Sequence, residues 1–152
     1  MSQILHRIGI KAKPTEVFRA VNTTEGLREW WTNEIEDNRD ESGTLSFIFR
    51  SPGGECIGTI SMKITQQTSP TTLHWECVGG PDDWIGTKVA FKITEEDDQS
   101  TVIFSHSGWQ EQSESFAHCN MKWATFLLSL RAYVESGQGR PSPNDIKIDN
   151  WN

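Results

Sequence analysis

The sequence predicts an α+β domain in which a curved antiparallel sheet wraps around one long C-terminal helix. Two observations carry this. Between residues 113 and 137, Phe116, Cys119, Trp123, Phe126, Leu127, Leu130, Tyr133 and Val134 recur at three- and four-residue steps, the period of one helix face. Between residues 43 and 109, alternating apolar runs are divided by Gly, Pro and Asp clusters, the pattern of an antiparallel meander rather than of strand and helix in turn. A helix over residues 113–137, at about 1.5 Å per residue, is roughly 35 Å long and crosses a whole domain face. The apolar side of the sheet is the surface available to cover it.

Taken in order, residues 3–11 alternate, with Ile4, His6, Ile8 and Ile10 opposite Gln3, Arg7 and Lys11, which predicts a strand buried on one side. Pro14 suits a first helical position, and Val17, Phe18 and Val21 give residues 14–21 a short apolar stripe. Thr23 or Thr24 can cap a second short helix that ends at Trp31, with Leu27, Trp30 and Trp31 on one face. Five strand-like runs follow. Leu45, Phe47 and Phe49 share a face, Ser51-Pro52-Gly53-Gly54 turns the chain, and Ile60, Met62 and Ile64 share the next. Leu73, Trp75 and Cys77 then lie opposite His74 and Glu76. After residues 79–83 come Ile85, Thr87, Val89, Phe91 and Ile93, and after residues 95–99 come Val102, Phe104 and His106. For the helix, Ser113 is the cap, Glu114 lies at the positive end of the dipole, and Gly137, Gly139 and Pro141 are the stop. Residues 1–140 therefore read as one helix-grip domain, and residues 141–152 as a polar, Pro-marked tail without predicted structure.

Charge and composition narrow the function. The chain of 152 residues has 14 Lys plus Arg against 21 Asp plus Glu, a formal charge of -7, with no basic run, so nucleic acid is not an expected partner. No stretch approaches the roughly 18 apolar residues of a membrane helix, and the N-terminus lacks a leader pattern, so a cytoplasmic protein is expected. Three cysteines, Cys56, Cys77 and Cys119, fit neither a disulfide framework nor a zinc site, and they are expected to be reduced and half-buried. Asp82, Asp83, Glu95, Glu96, Asp97 and Asp98 sit in turns at spacings that do not match a calcium loop. With no nucleophile elbow and no phosphate-cradling glycine loop, no metal and no cofactor is expected. Seven tryptophans against one tyrosine mark a chain that uses aromatic surface.

The order of segments resembles the SRPBCC superfamily, the START-like and birch-pollen-allergen-like fold, in the branch related to the activator of heat-shock-protein-90 ATPase. The resemblance is carried by residues 14–18, by Gly26-Leu27-Arg28-Glu29-Trp30-Trp31, by Phe104-Ser105-His106-Ser107-Gly108-Trp109 and by the closing helix from Trp123 to Gly139. It implies pairing of the first and last strands. It also implies a cavity between sheet and helix that accepts apolar or aromatic molecules, and in some members chemistry on them.

The inward aromatics Phe47, Phe49, Trp75, Phe91, Phe104 and Trp123, with Met62 and Leu127, are candidate walls of such a cavity, and equally the contents of a filled core. Trp31 is a candidate wall at the mouth. His106 is a candidate polar contact or acid/base, with His6 near it, or else a neutral, hydrogen-bonded core histidine. Asn120 lies at the edge of the helix's apolar arc and can meet a ligand or the opposite strand. His118, Lys122, Thr125, Ser129 and Ser136 form a polar stripe expected to face solvent. The function expected is binding of an apolar or aromatic small molecule: lipid-like, polyketide-like or flavonoid-like. The alternatives are a cyclase or hydratase using His106, and a co-chaperone-like module. The apolar flank of Ala117, Met121, Ala124 and Leu128 leaves both monomer and homodimer open.

Overall fold

The computed structural model describes residues 2–152. Strand β1 (Ser2–Ile10) is followed by helices α1 (Pro14–Asn22) and α2 (Thr24–Trp30). Strands β2 (Glu34–Asn38), β3 (Thr44–Arg50), β4 (Cys56–Thr68), β5 (Thr72–Gly79), β6 (Lys88–Glu96) and β7 (Gln99–Trp109) come next, and helix α3 (Glu114–Ser136) closes the core. The seven strands form one antiparallel sheet in the order β1-β7-β6-β5-β4-β3-β2. The first and last strands pair as expected, with Ile4 opposite His106 and His6 opposite Phe104. This is the helix-grip arrangement.

Local chemistry accounts for the helix ends. The Thr23 hydroxyl accepts from Gly26 N at 3.0 Å and starts α2. The Ser113 hydroxyl accepts from Phe116 N at 3.2 Å and starts α3, which Gly137 ends in the left-handed region at φ 87°. Gly26 also lets α2 lie against α1, because a Cβ there would stand 2.6 Å from Ala20 Cα. Trp30 Nε1 donates to Ala20 O at 2.9 Å across the same contact.

Four sequence expectations change. Strand β2 was not predicted, because Glu34-Ile35-Glu36-Asp37-Asn38 has one apolar residue and no alternation to read. It pairs with β3 at the sheet edge, where polar side chains face water. Ile85 lies outside the strand that was to contain it: β6 begins at Lys88, and Ile85 is 52 % exposed in the preceding turn. The cysteines are free, but only Cys119 is half-buried, Cys77 being buried and Cys56 exposed. The polar stripe of α3 is not a solvent face, since Lys122 and Ser129 are buried.

The cover over that stripe is the segment after α3. Gly139 packs against α2 and α3 so closely that a Cβ would lie 2.4 Å from Glu29 O. The Ser129 hydroxyl donates to Trp30 O and accepts from Arg140 N. Ser142 N then donates to Trp31 O, and Asn33 N to Ser142 O, in a short parallel bridge. Beyond it Asp145 is buried and pairs with Lys122. Residues 141–152 contain no helix or strand, yet their contacts are specific. No helix of the described residues is long and apolar enough to cross a membrane.

Candidate functional site: an aromatic groove beside the C-terminal helix

The central side of the sheet is filled. Trp31 is the hub: its ring lies 4.3 Å from Phe47, 5.0 Å from Trp123 and 6.0 Å from Trp75, centroid to centroid, and stacks nearly parallel on Trp75. Phe91 packs edge-on against Trp75 at 5.4 Å and against Phe104 at 5.3 Å, and Phe104 meets Trp123 at 4.5 Å. Phe47, Met62, Trp75, Phe91 and Phe104 are all buried in this cluster. These five candidate walls thus sit among their own side chains, with their volume taken up by one another, as close packing of large aromatics dictates.

His106 is sealed within the same layer. Trp123 Nε1 is only a donor, so His106 Nδ1 accepts from it, at 3.0 Å. The ring proton is therefore on Nε2, which donates to the Thr87 hydroxyl at 2.8 Å, and Thr87 in turn donates to Trp84 O at 2.6 Å. The rings of Trp84 and Trp109 close the sides at 4.6 and 4.8 Å. Burial lowers the His106 pKa to about 3, so the imidazole is neutral. An imidazole with both nitrogens bonded and no exposed surface does not exchange protons with a ligand, and the acid/base reading of His106 is corrected to a structural one.

The open space lies at the rim of this layer. A groove of about 250 Å³ runs between β3 and β4 on one side, with Phe49, Ile57, Gly58 and Ile60, and the first half of α3 on the other, with Ser115, Cys119, Lys122, Trp123 and Phe126. Trp31 forms the floor, Pro81 and Trp84 from the β5–β6 turn form one end, and Trp151 and Asn152 edge the opening. Of the sequence candidates, Trp31, Phe49 and Trp123 come together here. Asn120 does not: its carbonyl bonds to His6 Nε2 at 3.2 Å on the far flank of α3, where Leu127 also packs beside β1.

Several lining residues were missed. Trp84 sits in a turn rich in Asp and Pro, and Trp151 in the polar tail; a bulky aromatic at either place was the available signal. Lys122 falls in the polar stripe of α3. Its ammonium instead bonds to the Asp145 carboxylate and to Ile146 O at 2.8 Å, with Asn152 O at 3.4 Å, and lies 5.0 Å from the centre of the Phe126 ring. Burial opposes ionisation of Asp145, but hydrogen bonds from Lys122 and Lys147 outweigh it and hold the carboxyl below its usual range. His118 bonds to Asp149 at 2.8 Å and packs on Trp151 at 5.4 Å. Burial pushes the Cys119 thiol up to about 11, so it is protonated at neutral pH. Among the described residues no group of three or more His, Cys, Asp or Glu side chains is placed to hold a metal ion.

The fold recurs in solved structures. An Aha1 dimer from Colwellia psychrerythraea is 39 % identical over 91 % of this chain and all of its own, with a TM-score of 0.76. A protein from Staphylococcus saprophyticus, 14 % identical, covers 93 % of this chain and 98 % of its own at 0.72. An AHSA1-like protein from Aeromonas hydrophila, 16 % identical, covers 90 % and 94 % at 0.70. No curated protein matches significantly. Residues 11–135 match the family described as activator of Hsp90 ATPase homolog 1-like protein, and the chain belongs to that family.

Proposed function

We propose that the protein binds a small apolar or aromatic molecule in the groove beside α3. The observation that supports this is the convergence of Trp31, Phe49, Trp84 and Trp123, from four separate segments, on one open and mostly apolar space. Drug-sized ligands fill about 300–1,000 Å³. At about 250 Å³ the groove suits a smaller body, such as one fused aromatic system or a short aliphatic chain. Turnover has no support from His106, which is neutral and enclosed. The assembly we propose is a homodimer, on the precedent of the Colwellia protein and the exposed flank of Met121 and Leu128 on α3.

Titration with 2-naphthol, read by quenching of the groove tryptophans, tests the binding reading. Saturable quenching in the micromolar to millimolar range is expected. Ile57→Trp places a large ring in the groove from a position 54 % exposed, and should weaken binding at least about tenfold without unfolding the sheet. Absence of saturation, or equal binding by Ile57→Trp, refutes the groove as the site.

A further inference from the structure

We propose that residues 148–152 form a hinged lid on the groove, latched to α3 by the bond between His118 and Asp149, and that ligands enter and leave when this latch opens. The proposal rests on the groove being the binding site, and adds what controls access to it.

The anchoring of the segment after α3 changes abruptly along its length. Ser142 is buried, with its N–H donating to Trp31 O at 2.8 Å and its carbonyl accepting from Asn33 N at 3.2 Å. Asp145 is buried as well and accepts from Lys122 and Lys147, while Lys122 also donates to Ile146 O at 2.8 Å. Up to Ile146 the chain is thus pinned to the body of the domain by buried groups. Beyond Asp145 no residue is buried.

Residues 148–152 bond chiefly to one another. Ile148 N donates to Asn152 O at 3.1 Å, Asn152 N to Asp149 O at 3.3 Å and Trp151 N to Asp149 Oδ1 at 2.9 Å, which closes a compact turn able to move as one body. The turn meets α3 mainly through His118, whose Nδ1 donates to Asp149 Oδ2 at 2.8 Å and whose ring packs on Trp151 at 5.4 Å. Lys122 Nζ also lies 3.4 Å from an oxygen of Asn152, near the limit of a hydrogen bond. An exposed ion pair and one ring contact contribute little, so this turn opens at far less cost than the buried anchors before it. Asp149 is exposed, which leaves the latch open to competition from water.

The turn sits where opening matters. His118 lines the groove, and Trp151 and Asn152 edge its mouth, so the latched turn narrows the way in. Trp151 is 53 % exposed in this position. A ligand in the groove would cover indole surface that now meets water, which favours the latched lid once the site is filled. The lid therefore retains a bound molecule and slows the entry of the next, the usual consequence of a segment that must move aside for exchange.

The test follows the seven tryptophan indole N–H signals of the full chain by 1H–15N NMR, with the Trp151 signal identified by its loss in Trp151→Phe. Titration with 2-naphthol gives the affinity from the shifts and both rate constants from the line shapes. Asp149→Ala, at an exposed position, removes the acceptor of both His118 and Trp151 N. It should move the Trp151 signal of the ligand-free protein toward that of an unstructured chain, and speed association and dissociation each about threefold or more. Trp151→Ala removes the body of the lid and should speed association to the same degree. A fixed wall behaves differently, because losing a contact speeds dissociation alone. An unmoved Trp151 signal in Asp149→Ala, or an unchanged association rate in either variant, overturns the lid while the groove stands. Failure of 2-naphthol to bind the parent protein overturns the groove and the lid together.

Discussion

Acidification should destabilise this protein through His106 well before its carboxylates protonate. Burial holds the native imidazole at a pKa of about 3, against an ordinary value of 6.5 that the unfolded chain regains. Between those two values the unfolded state binds a proton that the native state refuses, so stability falls as pH falls through 6.5 and the loss is complete near 3. From pH 7 to pH 5 the linkage amounts to about 2 kcal/mol, approaching a slope of about 1.4 kcal/mol per pH unit. Over the whole window it is on the order of 5 kcal/mol, comparable with the total stability of a domain this size. The assay is urea unfolding at pH 7, 6 and 5, read by tryptophan fluorescence, on the parent and on His106→Gln. A glutamine amide offers an acceptor to Trp123 Nε1 and a donor to the Thr87 hydroxyl, as the imidazole does, but has no proton to gain in this range. The variant should lose the slope between pH 7 and pH 5, whatever its stability at pH 7. The other histidines and the carboxylates contribute equally to both proteins and cancel. A variant with the parent's slope would refute the reasoning, because the acid sensitivity would then arise elsewhere.

Gly26→Ala should lower the melting temperature by about 4 °C or more. The helix preference of alanine, about 1 kcal/mol, is outweighed by a Cβ that would stand 2.6 Å from both Cα and O of Ala20, backbone atoms that cannot rotate away. A raised melting temperature would mean that α1 and α2 separate at little cost. For the assembly, Leu128→Glu should convert a dimer to a monomer in size-exclusion chromatography with light scattering while circular dichroism stays the same, since Leu128 is 46 % exposed on the outer flank of α3. A monomeric parent protein, or a dimer untouched by this change, would rule that flank out.

Much of the fold can be read directly from periodicity. Six of the seven strands and all three helices follow from alternation, from three- and four-residue steps, and from caps at Thr23, Ser113 and Gly137, because these are local properties: the side chains that bury a face are encoded a few positions apart. The aromatic composition is equally local: Trp31 and Trp123 are buried and Phe49 is half-buried. Periodicity distinguishes inside from outside, however, and not a wall from a filling. Phe47, Trp75 and Phe91 have the same sequence signature as Phe49, yet they lie behind the groove because rings from α2, β5 and β6 converge on them.

Tertiary structure alone decided the rest. Lys122 falls on the polar side of α3 by any helical count, and solvent is the natural partner for such a face. It is buried because Gly137 ends α3 and Gly139 packs closely enough on α2 and α3 for residues 141–152 to return along the helix and bring Asp145 to it, 23 positions away in sequence. The identity of His106 as a neutral core residue likewise depended on an indole, a hydroxyl and two flanking rings contributed by α3, β7 and the turn before β6. The sequence determined which faces are apolar and where each element starts and stops. Which polar groups found partners was left to long-range packing, because a hydrogen bond depends on where two distant segments meet, and no local pattern carries that information.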